Sequence, residues 1–303
     1  MVKYITPYGF CYGVKNSLNK VREIKKARPQ ARIVFVRPLV HNEITNQLIY
    51  KETNATVYSP DIKQAKYRGA YLVFPAHGMT KFDRRFSESL QAKYVDCTCP
   101  VLLNTKKQII KDLDSDKTVI FFGKKGHSES QFMCDIDERI VFVPTEDSEN
   151  YDFSRLNDYK KISLYPQSTI KKDTLDKFVG RIREFYKGEF VPHPVCIECL
   201  RRWENGINII PGTKDAFIIV TDPSSSNGME FVNILKKHFI LNNVYQIESR
   251  KDLKELKTKL NPRGNIYIGS ATSAPNKVVE SVGRDLKIWS LLMKFVPQFH
   301  GQK

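Results

Sequence analysis

Ala70-Tyr71-Leu72-Val73-Phe74 runs straight into Pro75-Ala76-His77-Gly78-Met79-Thr80. The first five residues are apolar, with aromatic and β-branched side chains, and read as a strand covered on both faces. The next six include a Pro and a Gly, which stop the strand and open a polar loop. Working outward, the same pairing recurs along the chain. Residues 31–38 (ARIVFVRP) lead into Leu39-Val40-His41-Asn42-Glu43, and Lys93-Tyr94-Val95 into Asp96-Cys97-Thr98-Cys99-Pro100. Residues 118–123 (TVIFFG) lead into Lys124-Lys125-Gly126-His127-Ser128-Glu129, and 161–165 (KISLY) into Pro166-Gln167-Ser168-Thr169. Residues 216–222 (AFIIVTD) and 265–269 (NIYIG) lead into the serine-rich stretches Pro223–Asn227 and Ser270–Pro275.

Helical spacing separates these runs at residues 16–27, 101–113, 228–239 and 252–260. Strands alternating with helices predict an α/β fold with mostly parallel sheets. In such sheets ligands bind beyond the carboxyl ends of the strands. Here those ends carry His41, His77, His127, Cys97, Cys99 and the Ser/Thr clusters, so seven loops of one character point to a polar cavity.

At 303 residues the chain is long enough for two or three α/β units. No apolar run approaches the roughly 20 residues that cross a bilayer. The segment Met1–Phe10 has no apolar signal core, which predicts a cytoplasmic protein. Formal charge is +16, from 49 Lys+Arg against 33 Asp+Glu, which favours anionic partners. The basic residues are scattered rather than set in a stripe with aromatics, so nucleic acid is not expected among them.

Six cysteines stand at 11, 97, 99, 134, 196 and 199. In a reducing compartment they read as metal-binding or catalytic before they read as disulfides. Cys11, Cys99 and Cys196 are almost evenly spread, each where an extended stretch gives way to a helix. Three thiolates on one metal cluster would leave one position open. Cys97, Cys99, Cys196 and Cys199 have, equally, spacings that suit a four-thiolate zinc site. Cys134 reads as a core residue. The three cysteine segments divide the chain at about 12–95, 96–190 and 191–282, with the N-terminal stretch joining the third unit and residues 283–303 as a tail packed over another surface.

His41, His77 and His127 each sit in a strand-end loop. One such His alone is more often a satisfied surface or core residue, but three in equivalent settings support one another as anion donors. Glu129 is a carboxylate two residues past His127, either a proton donor or a charge at a helix N-terminus. Ser224, Ser225, Ser226, Asn227 and Ser273 have the composition of helix N-caps and equally of a phosphate site at a helix start.

Taken together, Gly9-Phe10-Cys11-Tyr12-Gly13-Val14, Val40-His41-Asn42, Ala76-His77-Gly78, Asp96-x-Thr98-Cys99-Pro100, Gly126-His127-x-Glu129, Gln167-Ser168-Thr169, Cys196, the 224–227 loop and Ser273-Ala274-Pro275 resemble the LytB/IspH family of 4-hydroxy-3-methylbut-2-enyl diphosphate reductases. The resemblance covers nearly the whole chain and keeps the family's order. It implies a trefoil of three similar α/β domains around a central [4Fe-4S] cluster held by Cys11, Cys99 and Cys196, with one iron open. It implies reductive dehydroxylation of the allylic diphosphate to isopentenyl and dimethylallyl diphosphate, with electrons from an acidic ferredoxin or flavodoxin. It further implies diphosphate binding by His41, His77, His127, Ser224, Ser225, Ser226, Asn227 and Ser273. Catalysis would fall to Glu129, His127 and Ser168, the last where the family commonly has Thr. Cys199 and Trp203 depart from the family's Thr and Gln, and Cys97 is an added thiol. A divergent paralogue with the same cluster and another substrate or a sensing role is the alternative.

Overall fold

The computed structural model describes residues 1–239 and 243–293. They form two compact units, one of residues 12–40 and 46–197, the other of residues 1–11, 41–45 and the chain from Glu198 on.

The larger unit holds two four-stranded sheets. The first contains β2 (Ile33–Phe35), β3 (Thr56–Val57), β4 (Tyr71–Phe74) and β5 (Lys93–Asp96), in the order β3-β2-β4-β5. The second contains β6 (Thr118–Gly123), β7 (Val141–Pro144), β8 (Lys161–Pro166) and β9 (Glu189–Pro192), in the order β7-β6-β8-β9. The smaller unit holds one sheet of β1 (Val2–Tyr4), β10 (Ala216–Val220), β11 (Val244–Ile247) and β12 (Ile266–Ser270), in the order β11-β10-β12-β1. Every pairing is parallel.

One topology therefore occurs three times. In each sheet the first strand lies between the second and third, and a fourth closes the edge. In the third sheet that edge is β1, drawn from the start of the chain, with Val2 opposite Ile266 and Tyr4 opposite Ile268. The inner strands are the long apolar runs of the sequence: β2 and β10 are buried throughout, and β6 and β8 at every position but the first. The edges β1, β3, β5 and β9 are short and largely uncovered, as parallel edges must be where no further strand pairs.

The helices that decide the site are α1 (Tyr12–Ala27), α2 (Glu43–Thr53), α3 (Lys81–Ser89), α4 (Pro100–Asp114), α5 (Ser128–Cys134), α6 (Lys172–Phe185), α7 (Ile197–Ile207), α8 (Ser226–Phe239), α9 (Leu253–Lys259) and α10 (Asn276–Met293). Helix α1 starts four residues before the expected residue 16. Its buried positions Val14, Leu18 and Val21 fall on one stripe, so the first turn has a core to bury and the helix extends back to Cys11. Residues 283–293, expected as the start of a tail, are the last turns of α10. Val279, Val282 and Leu286 join the core of the smaller unit with Ile218, Ile268 and Leu253, and Trp289 packs against it. Residues 294–303, the rest of the expected tail, lie outside the described residues.

The change of strand order puts a crevice at the carboxyl ends of the first and third strands of each sheet. The loops there are the ones with His41 (after β2), His77 (after β4), His127 and Glu129 (after β6), Ser168 (after β8), Ser224–Asn227 (after β10) and Ser273 (after β12). The three spaced cysteines follow the fourth strands instead: Cys99 after β5, Cys196 after β9 and Cys11 after β1.

Candidate active site

In the larger unit, His127 is the N-cap of α5, and its Nδ1 accepts the N–H of Glu129 at 3.2 Å. With Nδ1 accepting, Nε2 is the ring nitrogen left to donate. Glu129 follows in the first turn and is 2% exposed. Its carboxyl is clasped by one residue: the Ser168 N–H donates to Oε1 at 2.7 Å and the Ser168 hydroxyl to Oε2 at 2.6 Å. Burial pushes the Glu129 pKa up to about 7, against the two Ser168 bonds that lower it and with the nearby Cys196 sulfur adding to the rise. The result is a carboxylic acid that holds its proton near neutral pH.

Ser168 is itself fixed. Gln167, fully buried, extends the β8 ladder by donating its N–H to Phe122 O at 2.8 Å. Its side-chain oxygen takes the Lys124 N–H at 2.9 Å, tying the 124–129 loop to the 167–169 loop. The Cys196 N–H donates to Ser168 O at 3.4 Å. Glu129, Ser168 and Cys196 line one cavity of about 260 Å³, with Tyr165 and His193 on its wall.

The His77 and His127 rings meet edge to face with centroids 6.0 Å apart. Between them the chain must turn tightly. Gly78 has φ +119°, and a Cβ there would overlap the Phe132 ring of α5, so only Gly fits. The same loop is tied to the Cys99 segment: Met79 N–H donates to Thr98 Oγ1 at 3.1 Å and Cys99 N–H to Ala76 O at 3.0 Å.

In the smaller unit a second group of residues is interlocked. The Ser273 hydroxyl donates to His41 O at 3.2 Å, and Thr45 Oγ1 to Ser273 O at 2.7 Å. Asn42 caps α2, accepting the Thr45 N–H at 2.9 Å. Asp222 accepts from the Glu43 N–H at 2.8 Å and from the N–H and hydroxyl of Ser224 at 2.8 and 2.6 Å. Burial would raise the Asp222 pKa, but those bonds and His41 outweigh it and bring it down. Burial lowers the pKa of His41, opposed by Asp222. Ser225 accepts the Gly228 N–H in the first turn of α8, where Ser226 is the opening residue. Asn227 spends its oxygen on the Thr272 N–H at 3.0 Å, while its Nδ2 is buried with no hydrogen-bond partner among the described residues. Such a donor suits an anionic oxygen. Thr272 O accepts the Cys11 N–H at 3.0 Å, so Cys11 is bonded to the loop that Asn227 holds.

Arg202 escaped the sequence reading. It is 1% exposed on α7, with Nη2 on Gly9 O at 2.9 Å and Nη1 on Ser270 at 3.3 Å, so it clamps the segment before Cys11 to the end of β12. Cys199, Trp203 and Gly206 lie on the same buried face of α7.

The donor chemistry separates the cysteines. Cys11, Cys99 and Cys196 are each the residue immediately before a helix, α1, α4 and α7, and each is partly exposed. The first N–H groups of a helix point toward negative charge there, which suits sulfur bound as thiolate. Cys134 ends α5, at the opposite pole, and burial pushes its thiol up to about 11. Cys97 is buried, donates to Ser17 O at 3.7 Å, and is pushed up to about 12 by burial first. Among the described residues no three His, Cys, Asp or Glu are grouped to hold a single metal ion, so the four-thiolate zinc site is not formed there. Sulfurs bound to different irons of one cluster stand farther apart than ligands of one ion, and the three helix-start cysteines have the chemistry such a cluster requires.

Among the described residues no helix is long and apolar enough to cross a membrane. The LytB protein family model matches residues 2–287. A 4-hydroxy-3-methylbut-2-enyl diphosphate reductase of Dictyoglomus thermophilum is 27% identical over 291 residues, covering 95% of this chain and 96% of that protein. The reductase of the same name from Kosmotoga olearia is 25% identical over 279 residues, covering 89% and 90%. Among solved structures, the E-1-hydroxy-2-methyl-but-2-enyl-4-diphosphate reductase of Plasmodium falciparum superposes with a TM-score of 0.76 at 24% identity, over 99% of this chain and 89% of that one.

Proposed function

The chain belongs to the LytB family, and from that premise we propose that it reduces 4-hydroxy-3-methylbut-2-enyl diphosphate to isopentenyl and dimethylallyl diphosphate, the last step of the non-mevalonate pathway. The observation that carries the reading is the buried Glu129 acid, held by Ser168 beside Cys196. Replacing an allylic hydroxyl by hydrogen consumes two electrons and two protons and releases water. A carboxyl that keeps its proton near pH 7 supplies one of those protons at the leaving oxygen.

In this reading Cys11, Cys99 and Cys196 hold a [4Fe-4S] cluster. When bound, that cluster supplies electrons and a Lewis-acidic iron with no protein ligand. His41, His77, His127, Ser224, Ser225, Ser226, Asn227 and Ser273 bind the diphosphate through N–H and hydroxyl donors. The Nε2–H of His127 and the Nδ2 group of Asn227 are donors of that kind. Ser168 orients Glu129 through two bonds and passes on a proton through its hydroxyl. In the same reading the chain is three α/β domains at 12–95, 96–190 and 191–282 with 1–11. Electrons come from an acidic ferredoxin or flavodoxin in the cytoplasm, a partner suited to a chain of charge +16.

The test is anaerobic purification, iron and sulfide analysis, then turnover with a chemical reductant. Consumption of the hydroxylated diphosphate with release of both products is expected. Cluster-loaded protein that leaves the substrate untouched, and whose spectrum the substrate does not alter, would instead favour the paralogue.

A further inference from the structure

A groove of about 400 Å³ runs between α3, the start of α4 and the end of α5. Its charged lining is Lys81, Arg84, Arg85 and Lys106 against Glu88 and Asp135. Asp135 is engaged by the Lys81 N–H, and the Lys81 ammonium by Ile136 O at 3.0 Å. The other three cations face no carboxylate at ion-pair distance among the described residues. Arg84 lies over the Tyr94 ring at 5.2 Å and Lys106 over Phe132 at 5.4 Å, contacts that position a cation without neutralising it. Exposed arginines along one face of α3, without a carboxylate partner among the described residues, suit an acidic protein surface.

The place of the groove gives it a use. Met79 lines it and donates its N–H to Thr98, the neighbour of Cys99. Lys106 stands two helical turns along α4 from Cys99, on the order of 10 Å of axial rise. A reductase must take its electrons from outside, and a carrier seated here would stand over the chain that leads into Cys99. We propose that this α3–α4 groove is the docking surface for an acidic electron-carrier protein, delivering one electron in each of two encounters per turnover. The proposal rests on the reductase reading above and names the surface its electron donor uses.

The experiment compares the cluster-loaded wild type with Arg84→Glu/Arg85→Glu, with Lys106→Glu, and with the charge-matched control Lys251→Glu/Lys254→Glu, two exposed lysines around the start of α9 in the smaller unit. Each is assayed with dithionite, with a reduced acidic ferredoxin and with a reduced acidic flavodoxin. The expected result is a donor KM raised roughly tenfold or more in the groove variants at low salt. The gap should close as salt rises, with unchanged dithionite turnover and an unaffected control. Equal losses in the control, an unaltered donor KM, or wild-type protein that dithionite drives but neither carrier does would each overturn the docking surface while leaving the reaction intact. Wild type that dithionite cannot drive would remove the reaction itself, and the docking proposal with it.

Discussion

Glu129→Gln separates the cost of burying this carboxyl from its use. A rise from 4.5 to about 7 corresponds to about 3 kcal/mol of unfavourable burial of the charged form. The folded pKa lies above the unfolded one, so the penalty is absent below pH 4.5, grows as pH rises toward 7 and levels off beyond it. Glutamine has the same shape. Its oxygen accepts the Ser168 N–H, and its amide donates to a Ser168 hydroxyl that has turned to accept, so both contacts survive. The variant should therefore gain about 3 kcal/mol on the wild type between pH 4.5 and pH 8. Anaerobic urea unfolding of the two cluster-loaded proteins, compared pH by pH, reads this difference. Turnover should fall by about 10²–10⁴-fold, the contribution of a positioned general acid. A variant with wild-type turnover, or a stability gap that does not change with pH, would refute the argument.

Ser168→Ala removes one of the two bonds that lower the Glu129 pKa, so the alkaline limb of the pH–rate profile should move to higher pH; a limb that stays in place would dissociate Glu129 from that titration. Cys11→Ser, Cys99→Ser and Cys196→Ser should each lower bound iron and sulfide, while Cys134→Ser should retain them; the opposite pattern in metal analysis would discard the ligand set. Arg202→Met leaves the carbonyls of Gly9 and Ser270 without their buried partner and should cost about 2–4 kcal/mol in thermal unfolding. An unchanged melting temperature would show that α7 does not need the clamp.

The inner strands were legible because covered parallel strands are written as unbroken apolar runs, and β4, β6, β8 and β10 all follow that rule. The loops after them were legible because each holds a His, Gly or Ser cluster where the run stops. The start of α1 was legible only as the change from extended chain to helix at Cys11; the helical spacing itself begins later because Tyr12 and Gly13 carry no helix signal of their own, and buried Val14 holds that first turn. Asp222 and Thr45 were missed for a related reason. Each serves residues remote in sequence, Glu43 for the one and Ser273 for the other, and nothing in the local pattern marks the partner. The threefold strand order was legible only in part. Residue identity does not repeat between the sheets, while the order of pairing does.

The edge position of β1 has a consequence for biosynthesis. Residues 12–197 can collapse while the remainder is still being translated, since both of their sheets are self-contained. The strand that leads to Cys11 has no partner until Ile266–Ile268 has left the ribosome. Its sulfur is thus the last of the three to reach its place, and on the reading proposed above a cluster shared by Cys11, Cys99 and Cys196 would be completed only once β12 has formed.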